Sequence, residues 1–186
     1  MKITKNYKKR VIFLIIYLAY ITRFKGYIRY YPTIPVYPNN QEDLKIMKNA
    51  MSRRTQEDID LFFLTNDSVA YAFLPYVNEK IEDLREIVTS QNNIIYFFKY
   101  SINRRRPYQI DTNIQPLSTK TSNTPSYPAG HAYQAMVVAQ YLSHKYPEKK
   151  EQFYNIALKC DECRVKAGIH YMSDGEFSRK LFYSFN

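Results

Sequence analysis

Apolar residues recur at intervals of three and four through most of the chain, the rhythm of helices with one buried face, and no segment reads as a strand. Ile81, Leu84 and Val88 fall on one stripe of a helix predicted over 76–89, which Pro75 is placed to start. Helices are also predicted over 41–52, 55–64, 68–73, 92–103, 132–145 and 149–166, with a short terminal helix over 173–183. Asn40 with Asp43, and Thr55 with Asp58, have the spacing of capping boxes, and Ser173 is a candidate N-cap for the last helix. Residues 107–127 hold Pro107, Pro116 and Pro125 among many Ser, Thr and Asn, so this stretch is predicted as a loop. The pattern predicts an all-α fold, a single helical bundle.

The first forty residues follow a different pattern. Lys2, Lys5, Lys8, Lys9 and Arg10 precede the uncharged run 11–22, and Arg23 and Lys25 close it. Such a run falls short of the ~20 apolar residues that span a bilayer but suits the core of a signal peptide. No clear small-x-small cleavage site follows, which favours an uncleaved signal anchor or a helix lying in the membrane interface through residues 8–25. The alternative is a first helix buried in the fold. Basic residues are richer before the run than after it, which keeps the N-terminus cytoplasmic and puts the rest on the extracytoplasmic or lumenal side, membrane-anchored or secreted. Pro32, Pro35 and Pro38 make the next stretch an extended linker. The chain thus divides into an N-terminal apolar segment at 1–27, a linker at 28–40 and one domain at 41–186.

Composition narrows the partners. With 45% hydrophobic and 24% charged residues the chain is globular, and 19 tyrosines and 11 phenylalanines without a tryptophan make aromatic rings a large part of its core. A net charge of +10 points to anionic partners, a membrane surface or phosphorylated molecules. No zinc-finger, recognition-helix or ribonucleoprotein pattern accompanies that charge, so no nucleic acid is expected. Cys160 and Cys163 form a C-x-x-C on a predicted helix with no second pair, and read as incidental. His144 ends a helix beside Lys145 and reads as a surface residue.

Chemistry concentrates in three stretches. Between Arg164 and Asp174 the chain holds a guanidinium, an imidazole and a carboxylate. His170 and Asp174 are four apart, so on a helical turn the carboxylate can fix the tautomer of the imidazole and leave its other nitrogen free to attack. The alternative is a salt-bridged solvent face. Lys99 and Arg106 are seven apart, two helical turns, with Pro107 placing the pair at a helix C-terminal end. Residues 127–131, Tyr-Pro-Ala-Gly-His, form a turn before an apolar helix, where amides at Ala129 and Gly130 can approach an anion.

Together, Lys99 to Pro107 reads K-x6-R-P, Pro128 to His131 reads P-A-G-H, and Cys163 to Asp174 reads C-R-x5-H-x3-D. This resembles the signature of the type 2 phosphatidic acid phosphatase and vanadium haloperoxidase superfamily, K-x6-R-P, P-S-G-H and S-R-x5-H-x3-D. Ser126-Tyr127-Pro128 and the run from His170 to Asp174 are similar to the soluble bacterial class A acid phosphatases, and the likeness extends over about 53–183. Ala129 and Cys163 stand where the family has serines.

The resemblance implies a helical bundle and a metal-independent phosphatase without a cofactor, acting on phosphate monoesters, with lipid phosphates and diphosphates as candidate substrates. It implies that His170 attacks phosphorus, that Asp174 orients it, and that His131 protonates the leaving alcohol and then activates water. Lys99, Arg106, Arg164 and the turn at Ala129 and Gly130 would hold the phosphate, with no metal ligands. Two other readings share the pocket: a vanadium-dependent haloperoxidase, whose known chains are much longer, and an inactive membrane-anchored protein that binds phosphorylated ligands. With one short apolar run, the multi-pass lipid phosphatases of the family are a poor architectural match.

Overall fold

A computed structural model describes residues 12, 15–17, 36–120 and 122–185. In chain order its helices are α1 (Asn40–Ser52), α2 (Gln56–Leu64), α3 (Ile81–Ser90), α4 (Asn92–Ile102), α5 (Pro107–Ile110), α6 (Gly130–Lys145), α7 (Lys150–Lys166) and α8 (Met172–Phe185). Short 3₁₀ turns lie at Val69–Ala72, Leu74–Tyr76 and Pro147–Lys149. Among the described residues there is no strand.

The helix starts show where local chemistry sufficed. Thr55 and Asp58 form the predicted capping box, each side chain taking the other's amide, at 3.3 and 2.8 Å. The predicted box at Asn40 is not formed. Asn39 caps α1 instead, accepting from the Gln41 amide at 2.8 Å, because Asp43 is drawn inward to a buried arginine. The helix expected from residue 76 begins at Ile81, since Pro75 sits in a 3₁₀ turn and Val77 is extended. Ser173 lies inside α8 rather than at its N-cap, and its hydroxyl donates to Asp43. The predicted loop 107–127 holds one short helix, α5.

The core forms where α6 packs against α7 and α8. Phe73, Leu84, Met136, Leu142, Phe153, Leu181 and Phe182 are buried there, each contributing roughly 1.5–3 kcal/mol by leaving water. A second cluster, Leu44, Met47 and Ala50 of α1 with Ile114, Val165 and Tyr171, seats α1 over the junction of α7 and α8. Cys160 and Cys163 are buried, unpaired thiols within α7, and burial pushes the Cys163 thiol up to about 11. His144 is exposed at the end of α6.

Most of the predicted anchor 1–27, and residues 28–35 of the predicted linker, lie outside the described residues. Residues 12 and 15–17 are helical, with Ile12, Ile15 and Ile16 exposed and the Tyr17 hydroxyl 3.4 Å from Ser101 Oγ. Tyr37, from the predicted linker, lays its ring 4.5 Å from the Arg104 guanidinium. No helix among the described residues is long and apolar enough to cross a membrane.

Candidate active site

The link between α7 and α8 delivers the first histidine. Gly168 takes φ +79°, a conformation open to glycine, and a Cβ there would press on Met51 and Ile114 at 3.1–3.2 Å. The chain then turns back, with the Ile169 amide bonded to the Arg164 carbonyl at 3.3 Å. His170 emerges just before α8, buried, with Nδ1 2.9 Å from Asp174 Oδ2.

Asp174 is held by four donors. Oδ2 accepts from His170 Nδ1, from the Tyr171 amide at 3.0 Å and from Ser126 Oγ, while Oδ1 accepts from Arg104 Nη1 at 2.8 Å. Burial alone would raise this carboxyl. The His170 hydrogen bond, the Arg104 charge and Ser126 outweigh it and hold Asp174 well below the usual carboxylate range. Burial, and then the Arg106 charge, lower His170 to about 3 despite Asp174, so the imidazole is neutral. Arg106 Nη1 lies 2.8 Å from His170 Nε2 and can only donate. That assigns the His170 proton to Nδ1, facing Asp174, and leaves the lone pair on Nε2.

Lys99 and Arg106 converge on this imidazole without sharing a continuous helix. α4 ends at Ile102, and Asn103, left-handed at φ 56°, donates its amide to the Lys99 carbonyl at 2.8 Å and turns the chain back. Arg106 therefore precedes α5 rather than ending α4. Lys99 Nζ donates to the carbonyls of Pro125 at 2.6 Å and Ser126 at 3.4 Å. Arg106 donates to Thr124 O and Ile169 O, both at 2.9 Å. Burial first, and mutual repulsion second, lower Lys99 well below an ordinary lysine, and burial brings Arg106 down to about 10.

His131 stands in the first turn of α6, its Nε2 3.4 Å from the Asn66 carbonyl. Burial, followed by the Arg164 charge, depresses its pKa well below that of a free imidazole. The amides of Gly130 and His131 belong to a helical turn that offers them no internal acceptor. Gly130 has ordinary helical backbone, and a Cβ there would meet Ile95 Cγ2 at only van der Waals distance, 3.4 Å, so no special φ is at work. The Ala129 amide is already bonded to the Asp174 carbonyl at 3.2 Å.

These groups border a cavity of about 370 Å³ lined by Lys99, Arg106, Gly130, His131 and His170, with Asn66, Asn92, Thr124 and Gln134 around them. Asp174, Arg164 and Ala129 stand behind that wall, not on it. Arg164 is fully buried and donates to Phe62 O at 3.2 Å and Thr65 Oγ1 at 2.6 Å, with its Nε unpaired. A larger open groove of about 1130 Å³, between α2 and α7, carries no histidine, cysteine or arginine, so size does not locate the chemistry here.

Sequence reasoning missed the support behind the site. Arg104 is fully buried and donates to Asn40 Oδ1, Ser173 Oγ, Asp174 Oδ1 and Asp43 Oδ2 at 2.7–3.1 Å, its guanidinium 3.8 Å from the Tyr171 ring. Nothing local marks it out from its neighbours Arg105 and Arg106. Ser126, also missed as a contact, is the second side chain on Asp174 Oδ2.

Comparison with known proteins adds the following. A family model described as the PAP2 superfamily matches residues 84–181. Among solved structures, the first transmembrane PAP2 type phosphatidylglycerolphosphate phosphatase from Bacillus subtilis matches with a TM-score of 0.54 at 20% identity, covering 94% of this chain and 92% of that one. No curated protein matches. At that identity the structural likeness speaks for the fold.

Proposed function

The chain belongs to the PAP2 superfamily, the type 2 phosphatidic acid phosphatases, and we propose that it hydrolyses phosphate monoesters, lipid phosphates among them, through a phosphohistidine on His170. The observation that carries this reading is the His170 ring itself. Its Nδ1 is 2.9 Å from an ionised Asp174, and its Nε2 lone pair lies beside Arg106 on the cavity wall.

In the first step Nε2 attacks phosphorus, and the bond from phosphorus to the ester oxygen breaks. Asp174 stabilises the positive charge that develops on the ring. His131, at the start of α6, gives a proton to the departing oxygen. It then takes a proton from water, which attacks the phosphohistidine, releases phosphate and restores neutral His170. Lys99, Arg106 and the amides of Gly130 and His131 take the charge on the phosphoryl oxygens. Arg164 supports them from behind the wall, where its unpaired Nε leaves a donor to spare. Three buried cations supply the neutralisation that a metal would otherwise give, and the reading is a metal-independent one.

The experiment is phosphate release from p-nitrophenyl phosphate and from a lipid phosphate in micelles, before and after dialysis against EDTA, with quenching in alkaline detergent to trap the acid-labile phosphoenzyme. Turnover should survive EDTA, and His170→Ala should abolish both turnover and the trapped phosphate. Phosphate still trapped on His170→Ala would remove His170 as the nucleophile. Activity that dies with EDTA and returns with magnesium or zinc would overturn the metal-independent route. The membrane is the proposed location, supported by the basic and apolar character of residues 8–25 and by the exposed Ile12, Ile15 and Ile16.

A further inference from the structure

Beyond the phosphate, the cavity carries a pair of side chains that the proposed chemistry does not use. Gln134 lies three residues after His131 on α6, so the two share a face and both line the cavity. Gln134 Nε2 donates to the Val88 carbonyl at 3.3 Å and to Asn92 Oδ1 at 3.0 Å. The Val88 carbonyl can only accept, which settles the orientation of both amides. Gln134 is left with its Oε1 acceptor, and Asn92 with the donors of its Nδ2. Both residues are half-buried and border the same space as His131, where the leaving alcohol departs.

A fixed acceptor beside a fixed donor is complementary to one hydroxyl group, which both gives and takes a hydrogen bond. Asn66, Thr89 and Asn123 add further polar side chains to the cavity lining, beside the apolar Val88, Ile95 and Ile169. We propose that Gln134 and Asn92 form a recognition site for a hydroxyl one carbon beyond the carbon that bears the ester oxygen, so that the substrate is the phosphomonoester of a vicinal diol or polyol. The inference rests on the phosphatase reading above. The same chemistry is presented by a soluble polyol phosphate and by a lipid whose headgroup ends in a phosphorylated glycerol.

The test compares kcat/KM within two matched pairs of esters. In water the pair is glycerol 1-phosphate and 3-hydroxypropyl phosphate. In detergent micelles it is a diacyl lipid ending in glycerol phosphate and the same lipid ending in 1,3-propanediol phosphate. Each pair differs by one hydroxyl. Wild-type protein should prefer the hydroxylated member by about tenfold in at least one pair, the weight of one or two net hydrogen bonds at a half-buried site. The pair that shows the preference identifies the source, polyol or lipid headgroup. Gln134→Leu should bring that ratio close to one. If Gln134→Leu does not fold, Asn92→Ala, at the start of α4, reads the same ratio. Equal kcat/KM within both pairs for the wild type would overturn the proposal. So would a variant that slows both members alike and keeps their ratio, since that is the mark of a purely structural pair. Phosphate released from none of the four esters would sink the phosphatase reading first and this site with it.

Discussion

Replacing Arg104 with methionine tests whether the support behind the site is what holds it. Arg104 is fully buried, and its guanidinium bridges two carboxylates, Asp43 and Asp174, from elements far apart in sequence. Methionine keeps much of the apolar stem and removes all four hydrogen bonds. Asp43 then keeps Ser173, and Asp174 keeps His170, Ser126 and the Tyr171 amide, but the arginine hydrogen-bonded to both carboxylates is gone. Stripping the cation from a buried pair costs ~3–5 kcal/mol, a large part of a domain stability of ~5–15 kcal/mol. The pH dependence has a definite sign. In the native fold Asp174 sits below the usual carboxylate range, so it contributes stability above the unfolded carboxylate pKa of ~3.9 that is lost as pH falls through its lower folded value. Without Arg104 the folded pKa of Asp174 rises, so protonation relieves the variant sooner and its deficit should narrow from pH 7 towards pH 4. Urea unfolding followed by circular dichroism at several pH values measures this, with Arg104→Lys expected to fall between. A loss under ~1 kcal/mol at pH 7, or a deficit that does not change with pH, would refute the reasoning.

The pH profile of turnover should follow His131, whose proton is needed by the leaving alcohol and whose pKa is depressed by burial and by Arg164. For alkyl phosphates kcat/KM should therefore fall from pH 5 to pH 8, and less so for p-nitrophenyl phosphate; an alkaline optimum for both would remove His131 as the acid. Gly175→Ala should destabilise by ~1–3 kcal/mol, because the new methyl would overlap the Asp161 carboxylate that Arg179 pins against α8. A melting temperature within 1–2 °C of wild type, roughly the scatter expected of a neutral surface change, would show that the α7–α8 contact gives easily. Orthovanadate should compete with substrate, since its five-coordinate form mimics in-line transfer between His170 and the leaving group. Resistance in an active enzyme would mean that Lys99, Arg106 and His170 do not share one phosphate.

Periodicity and spacing were enough for the all-α class, for seven of the helix positions to within a few residues, and for the stretches that border the cavity. The physical reason is that these depend on near neighbours. A helix needs its own turns and caps, as at Thr55 and Asp58, and His170 needs only a carboxylate four residues on. Even there, long-range contacts overrode the local signal at Asp43, whose predicted role as a capping residue lost to a buried arginine sixty-one residues away. The consecutive Arg104, Arg105 and Arg106 show the limit most plainly. By sequence they are one residue type repeated, yet Arg105 is exposed, Arg106 meets His170 and Arg104 is sealed behind Asp174. Asn103 sets the turn, but which arginine enters the interior depends on Asp43 and Ser173, which only packing of α1 against α8 brings together. The same holds for Gln134 and Asn92, ordinary polar residues of two helices until α6 and α4 meet at the cavity. Sequence alone determined which chemical groups this protein has and which of them lie one helical turn apart. Tertiary structure decided which face the cavity and which support them, because a buried charge takes its role from partners that the chain places tens of residues away.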